Sequence, residues 1–186
     1  MSKLSELKAD LLPLVRKRAF LKLTEPIRLS SGKMSDQYFD GRKITLHPET
    51  MALFGRAILE LIDLDKIDAV GGPSIGADPI ATAVSIFAWL ERKKVIPAFL
   101  IRKEPKSYGL QKQVEGTDLK PGMKVLVVED VVTSGKSVLN AISVIESLGA
   151  KVAQIICLVD RNEGGNSALK AYRFTPLFTR EEVEGK

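Results

Sequence analysis

The chain has 186 residues, 28 Lys plus Arg against 23 Asp plus Glu, a net charge of +5 and 45% hydrophobic residues. That length suits one domain able to bury roughly two-thirds of its unfolded surface, and the composition excludes disorder, collagen and coiled coil. The longest apolar run, residues 79–90, is broken by Thr82 and Ser85 and falls short of the ~20 residues that cross a bilayer. The N-terminal residues show no signal-peptide core, and the single cysteine, Cys157, has no partner for an internal disulfide. A reducing, cytoplasmic setting is therefore expected, with no membrane partner. One histidine, His47, and one cysteine exclude a Cys/His zinc cluster within the chain, and no G-x-S-x-G elbow is present.

In chain order, Leu4, Leu7, Leu11, Leu14 and Val15 repeat at helical spacing after a Ser2 N-cap, with Pro13 expected to kink the helix. Residues 27–42 read as extended pieces around SSGKMS. His47 and Pro48 open a helix reaching about Leu64. From there strands (67–72, 95–101, 124–129, 151–159 and 173–178) alternate with helices (78–92 and 134–148). Strands of almost continuous Val, Ile and Leu are buried on both faces, as in a parallel sheet covered by helices. The fold class expected is α/β, doubly wound, with a mostly parallel sheet. It is read as a single domain over 1–186, with about 1–65 forming an N-terminal cap and about 66–180 the α/β core. Trp89 is expected to pack with its helix, and Cys157 to be a small buried hydrophobe.

The chemistry concentrates in residues 125–137, VLVVEDVVTSGKS. A strand, an acidic pair and a Gly/Ser/Thr loop at a helix start aim several backbone N–H groups at one point, which favours an anion. Thr133, Ser134 and Ser137 add hydroxyl donors, and Gly135 permits close approach. A Walker A loop would need glycine at position 130, where Asp130 stands. Carboxylates immediately before a phosphate loop suit a sugar phosphate, because they accept hydrogen bonds from vicinal hydroxyls.

This segment resembles the phosphoribosyl pyrophosphate (PRPP) motif of the type I phosphoribosyltransferases. Four further segments narrow the resemblance to the orotate phosphoribosyltransferase family: LSSGKMSDQYFDGRK (29–43), VGGPSIGADPIA (70–81), IRKEPKSYGLQKQVEG (101–116) and LVDRNEGG (158–165). The resemblance implies that Glu129 and Asp130 hold the ribose hydroxyls. Val131, Val132, Thr133, Ser134, Gly135, Lys136 and Ser137 would hold the ribose phosphate. It also implies that Arg102, Lys103 and Lys106 are the catalytic cations that engage pyrophosphate, with Tyr108 on the same PRPP-binding loop. Thr133, Arg161, Tyr38 and Phe39 would contact orotate. Mg²⁺ is the implied cofactor, carried mainly on substrate oxygens with no protein metal cage. The implied assembly is a homodimer whose loop 102–116 is shared across subunits, with orotate and PRPP as small-molecule partners and no nucleic acid.

The residues have physical readings of their own. Fixed cations on a loop stabilise the charge that develops on leaving pyrophosphate, and loop closure excludes water. A guanidinium after a strand end suits a planar carboxylate, which gives Arg161 its role. Three positions depart from the family pattern: Ser30 where many members carry lysine, Ser74-Ile75 where some have lysine, and Tyr108 in place of the usual histidine. A purine phosphoribosyltransferase would share the phosphate cradle but has no use for a carboxylate anchor. A ligand-sensing, nucleic-acid-binding regulator would need no cationic loop.

Overall fold

The computed structural model describes residues 2–28, 34–104 and 112–185. A helix α1 (Lys3–Ala19) leads into an antiparallel pair, β1 (Phe20–Arg28) and β2 (Met34–Phe39). Next come a single turn α2 (Arg42–Thr45) and a helix α3 (Pro48–Leu59). The second half carries β3 (Ala69–Pro73), α4 (Ala77–Arg92), β4 (Ala98–Ile101), β5 (Val114–Gly116) and β6 (Lys124–Val132). It ends with α5 (Lys136–Ser147), β7 (Lys151–Asp160), the turn α6 (Gly165–Ala168), β8 (Phe174–Thr179) and α7 (Arg180–Glu184).

The main sheet has the order β5-β4-β3-β6-β7-β8, parallel throughout except for β5, which runs antiparallel at one edge. Strict alternation along its strands separates two faces. Val125 and Val127 of β6, with Ile155 and Cys157 of β7, pack against Val138, Ala141, Ile142 and Ile145 of α5. Leu126, Val128, Ile156 and Leu158 point the other way, into a cluster with Leu11, Val15, Phe54, Ile58, Ile80 and Val84 of α1, α3 and α4. The doubly wound α/β fold expected from the strand composition is the one observed.

The local differences have physical causes. Pro13 lies inside an unbroken α1, because burial of Leu7, Leu11, Val15 and Ala19 along one face outweighs the lost hydrogen bond. Ser2 caps that helix as expected, its Oγ accepting from Ser5 N at 3.2 Å. The extended region starts at Phe20 rather than Ile27, and its register shifts between Lys22 and Ile27. Helix α3 ends at Leu59, and Asp63 caps a separate short turn by accepting from Asp65 N. Helix α5 starts at Lys136 because Gly135, at φ 77°, cannot continue a right-handed helix. Strand β6 runs on past Glu129 to Val132. Trp89 does not pack as expected: it is 52% exposed and forms, with Ile86 and Leu90, an apolar row on α4. Cys157 is fully buried, and His47 is the N-cap position of α3. Among the described residues no helix is long and apolar enough to cross a membrane.

Candidate active site

From β3 the chain crosses to β4 on one side and later returns to β6 on the other. The carboxyl ends of β3 and β6 therefore diverge around a crevice, the place where open α/β sheets bind ligands. Glu129 and Asp130 sit on β6 at this point. Glu129 Oε1 accepts from Asp130 N at 3.1 Å, and Asp130 Oδ1 accepts from Val131 N at 2.7 Å. Burial pushes the Glu129 carboxyl well above its ordinary range, with the neighbouring Asp130 charge adding to the effect. Burial also raises Asp130, while its own hydrogen bonds and Arg42 pull it back down.

Two glycines bring other elements against this pair. A methyl group on Gly41, at the start of α2, would come 2.6 Å from Asp130 Oδ2. One on Gly76, before α4, would collide with Glu129 Oε1 and meet Asp130 Oδ1. The acids are thus enclosed on both sides by backbone.

Beyond β6, Val131 and Thr133 are half-buried, Ser134, Lys136 and Ser137 are exposed, and Gly135 is buried at the head of α5. Val132 is different: its side chain is buried, and its carbonyl accepts from Arg161 N at 2.9 Å. Parallel pairing of Val132 with Asp160 is what brings Arg161 beside Thr133.

Those two residues, with Tyr38, Phe39 and Asp130, line a cavity of about 400 Å³. Phe39 also stacks edge-on against Phe20, ring centroids 5.3 Å apart, so it serves both core and cavity. The same cavity holds Arg28, Asp40, Gly41 and Arg42, which had no role assigned from sequence. Arg42 Nε pairs with Asp40 Oδ1 at 3.3 Å, whereas Arg28 makes no ion pair among the described residues. The signal for Asp40, Gly41 and Arg42 was the segment YFDGRK (38–43), in which an acid, a glycine and a cation follow an aromatic pair, whereas Arg28 had none.

A second cavity, about 350 Å³, opens between β3 and α5 and is lined by Ser74, Arg102, Lys103, Lys136 and Ser137. Ser74 Oγ donates to Asp78 Oδ2 at 2.8 Å, and Ser74 N to Ile101 O at 2.8 Å, fixing the turn after β3. Arg102 and Lys103 follow β4 and are exposed. Strand β5, unforeseen because three residues with one apolar side chain give no pattern, closes the base of the cationic loop. There Arg102 N donates to Gln113 O at 2.9 Å, and Gln113 Nε2 returns a bond to Arg102 O at 3.1 Å. Lys106 and Tyr108 lie outside the described residues. No group of three or more His, Cys, Asp or Glu is placed to hold a metal among the described residues.

Residues 41–179 match the phosphoribosyl transferase domain family. Orotate phosphoribosyltransferase of Methanosphaera stadtmanae is 39% identical over 97% of this chain and 98% of its own. The Aquifex aeolicus enzyme of the same name is 42% identical over 84% of this chain and 85% of its own. The Mycobacterium tuberculosis orotate phosphoribosyltransferase solved in complex with PRPP superimposes with a TM-score of 0.77. It is 33% identical, covering 96% of this chain and 99% of that one. With the acid pair at the switch point and the Gly135-headed helix α5 beside it, this chain belongs to the orotate phosphoribosyltransferase family.

Proposed function

We propose that the protein transfers the ribose 5-phosphate group of PRPP to orotate, giving orotidine 5'-monophosphate and pyrophosphate in pyrimidine synthesis. The observation that carries this reading is that Asp130 lines the cavity of Thr133 and Arg161, while the turn whose Gly76 abuts both acids supplies Ser74 to a second cavity of unlike chemistry. One cavity is cationic, with Arg102, Lys103 and Lys136; the other joins an aromatic wall to Arg161. A sugar held at the acid pair would have its leaving group in the first and its acceptor base in the second.

In this reading the N1 nitrogen of orotate bonds to C1 of the ribose as the C1–O bond to pyrophosphate breaks. The electron pair of the broken bond leaves on pyrophosphate, and the N1 proton passes to pyrophosphate or solvent. Glu129 and Asp130 accept from the ribose hydroxyls, which replace the water lost on burial. The segment 131–137, from the end of β6 to the start of α5, donates backbone and hydroxyl hydrogens to the 5-phosphate. Arg102 and Lys103, joined by Lys106, neutralise charge building on pyrophosphate. Thr133 and the Arg161 fork hold the orotate ring, with Tyr38 and Phe39 as its wall.

Mg²⁺ fits this donor set. A hard cation takes one or two carboxylates and fills its octahedron with substrate and water oxygens. Glu129 and Asp130 are the residues on hand, and the ion would supply charge neutralisation to pyrophosphate. A single domain is supported by the apolar cluster running without a break from Leu7 through Val84 to Val183. A cytoplasmic homodimer completes the proposal, with loop 102–116 closing over the neighbour's site. The exposed Ile86, Trp89 and Leu90 offer such a copy an apolar face.

The test is a panel of orotate, uracil, adenine, hypoxanthine and guanine with PRPP and Mg²⁺. Orotate alone should be consumed. Faster turnover of a purine would replace the acceptor assignment.

A further inference from the structure

Arg161 is not a free guanidinium. Its side chain is only 16% exposed, and its Nη2 lies 3.0 Å from Glu163 Oε1. The same oxygen receives Arg180 Nη1 at 3.2 Å, and Arg180 Nε binds Glu184 Oε1 at 2.5 Å. The chain of charges therefore runs from the cavity, through Glu163, to the last helix.

The turn that carries these groups is fixed at several points. Asp160 Oδ1 accepts from Asn162 N at 3.0 Å, and Asn162 takes the left-handed conformation at φ 54°, which asparagine tolerates. Asn162 Nδ2 donates to Glu181 Oε2 at 2.6 Å, tying the turn a second time to α7. Helix α7 is itself held by a capping box at Thr179 and Glu182. Arg16 of α1 also grips it, donating to the carbonyls of Val183 at 3.1 Å and Glu182 at 2.6 Å. A five-residue helix has little stability of its own, so this density of ties is what makes it a fixed platform.

An acid beside a substrate-binding arginine could compete with the substrate for it. Here one oxygen is shared by two guanidinium groups, so Glu163 holds the orientation of Arg161 without cancelling its charge. The remaining N–H groups of the fork stay available, and a fork held in one plane loses less freedom when it grips a planar carboxylate.

We propose that Glu163, itself held by Arg180 of the C-terminal helix, is the positioning residue that aligns Arg161 for orotate. This rests on the reading of Arg161 as the orotate anchor. It makes the C-terminal helix part of the acceptor-base specificity, although none of its residues lines the cavity of Tyr38, Thr133 and Arg161.

The experiment measures orotate and PRPP KM, kcat and melting temperature for Arg161→Lys, Glu163→Gln, Arg180→Gln and the double variant Glu163→Gln/Arg180→Gln. Arg161→Lys and Glu163→Gln should each raise orotate KM about tenfold, Arg180→Gln about threefold, with PRPP KM within about twofold of wild type. The double variant should be no worse than Glu163→Gln, because both changes act through one contact. A lower orotate KM for Glu163→Gln would make it a competitor and overturn the proposal. Equal shifts in orotate and PRPP KM, or additive effects in the double variant, would overturn it as well. A raised KM for Arg161→Lys with an unchanged one for Glu163→Gln overturns the positioning role alone. No effect of Arg161→Lys overturns the anchor reading beneath it. If Glu163→Gln fails to fold, Arg180→Gln carries the same test, and an unchanged orotate KM there overturns the role.

Discussion

The Cα of Gly41, at the start of α2, lies so close to Asp130 that an added methyl would stand 2.6 Å from the carboxylate. The backbone of Gly41 is ordinary right-handed helix at φ −60° and ψ −30°, open to any residue. Glycine is required there by contact and not by conformation. Gly41→Ala should therefore leave the melting temperature nearly unchanged while displacing the Asp130 carboxylate. The expected outcome is a PRPP KM raised about tenfold, the loss of one charge-assisted hydrogen bond. Wild-type PRPP KM in a folded variant would show that Asp130 moves aside without consequence.

The buried acid pair implies a cost that can be measured without substrate. Burial holds Glu129 well above its ordinary 4.5, so the folded chain binds this proton more tightly than the unfolded chain. Stability attributable to Glu129 is present below that ordinary value and is lost as pH rises through the raised one. Glu129→Gln removes the penalty. Its melting temperature should exceed wild type by a few degrees near pH 8 and converge toward it near pH 5. PRPP affinity should fall in the same variant. A destabilised Glu129→Gln at high pH would mean the carboxylate contributes to the fold instead.

Much of this site was legible in the sequence because its parts are local. The string VLVVEDVVTSGKS sets acid pair, loop and helix in one continuous turn, so spacing alone ties them together. The parallel strands were legible because unbroken Val, Ile and Leu have few other homes. What stayed hidden depends on contacts across the chain. Gly41 and Gly76 meet the acids from separate elements, and their own neighbourhoods do not reveal which element they approach. Arg180 reaches Arg161 only through Glu163, by way of a helix too short to show periodicity. Trp89 was misjudged because helical spacing reveals that a face is apolar but not what covers it.

The shared-loop proposal has its own measurement. Lys106→Ala impairs a loop and leaves the pocket whole, while Asp130→Asn does the reverse. In mixed dimers with loops acting in trans, one site carries both defects and the other carries none. Random reassortment makes half the dimers mixed, so about a quarter of wild-type activity should return from two nearly inactive proteins. Subunit exchange verified by mass, without recovery, would confine each loop to its own chain.

Metal dependence follows from the charge on the leaving group. Chelation of divalent cations should abolish orotate consumption, and added Mg²⁺ should restore it. Full activity in excess chelator would assign the neutralisation to Arg102, Lys103 and Lys106 alone.

The most direct measurement is the product balance from orotate, PRPP and Mg²⁺, followed by mass spectrometry for wild type and Asp130→Asn side by side. The wild-type protein should form orotidine 5'-monophosphate and pyrophosphate in equal amounts. Asp130→Asn, folded and of unchanged shape, should form both at least about tenfold more slowly. Pyrophosphate released without the nucleotide, or an Asp130→Asn variant working at the wild-type rate, would contradict phosphoribosyl transfer to orotate at this site.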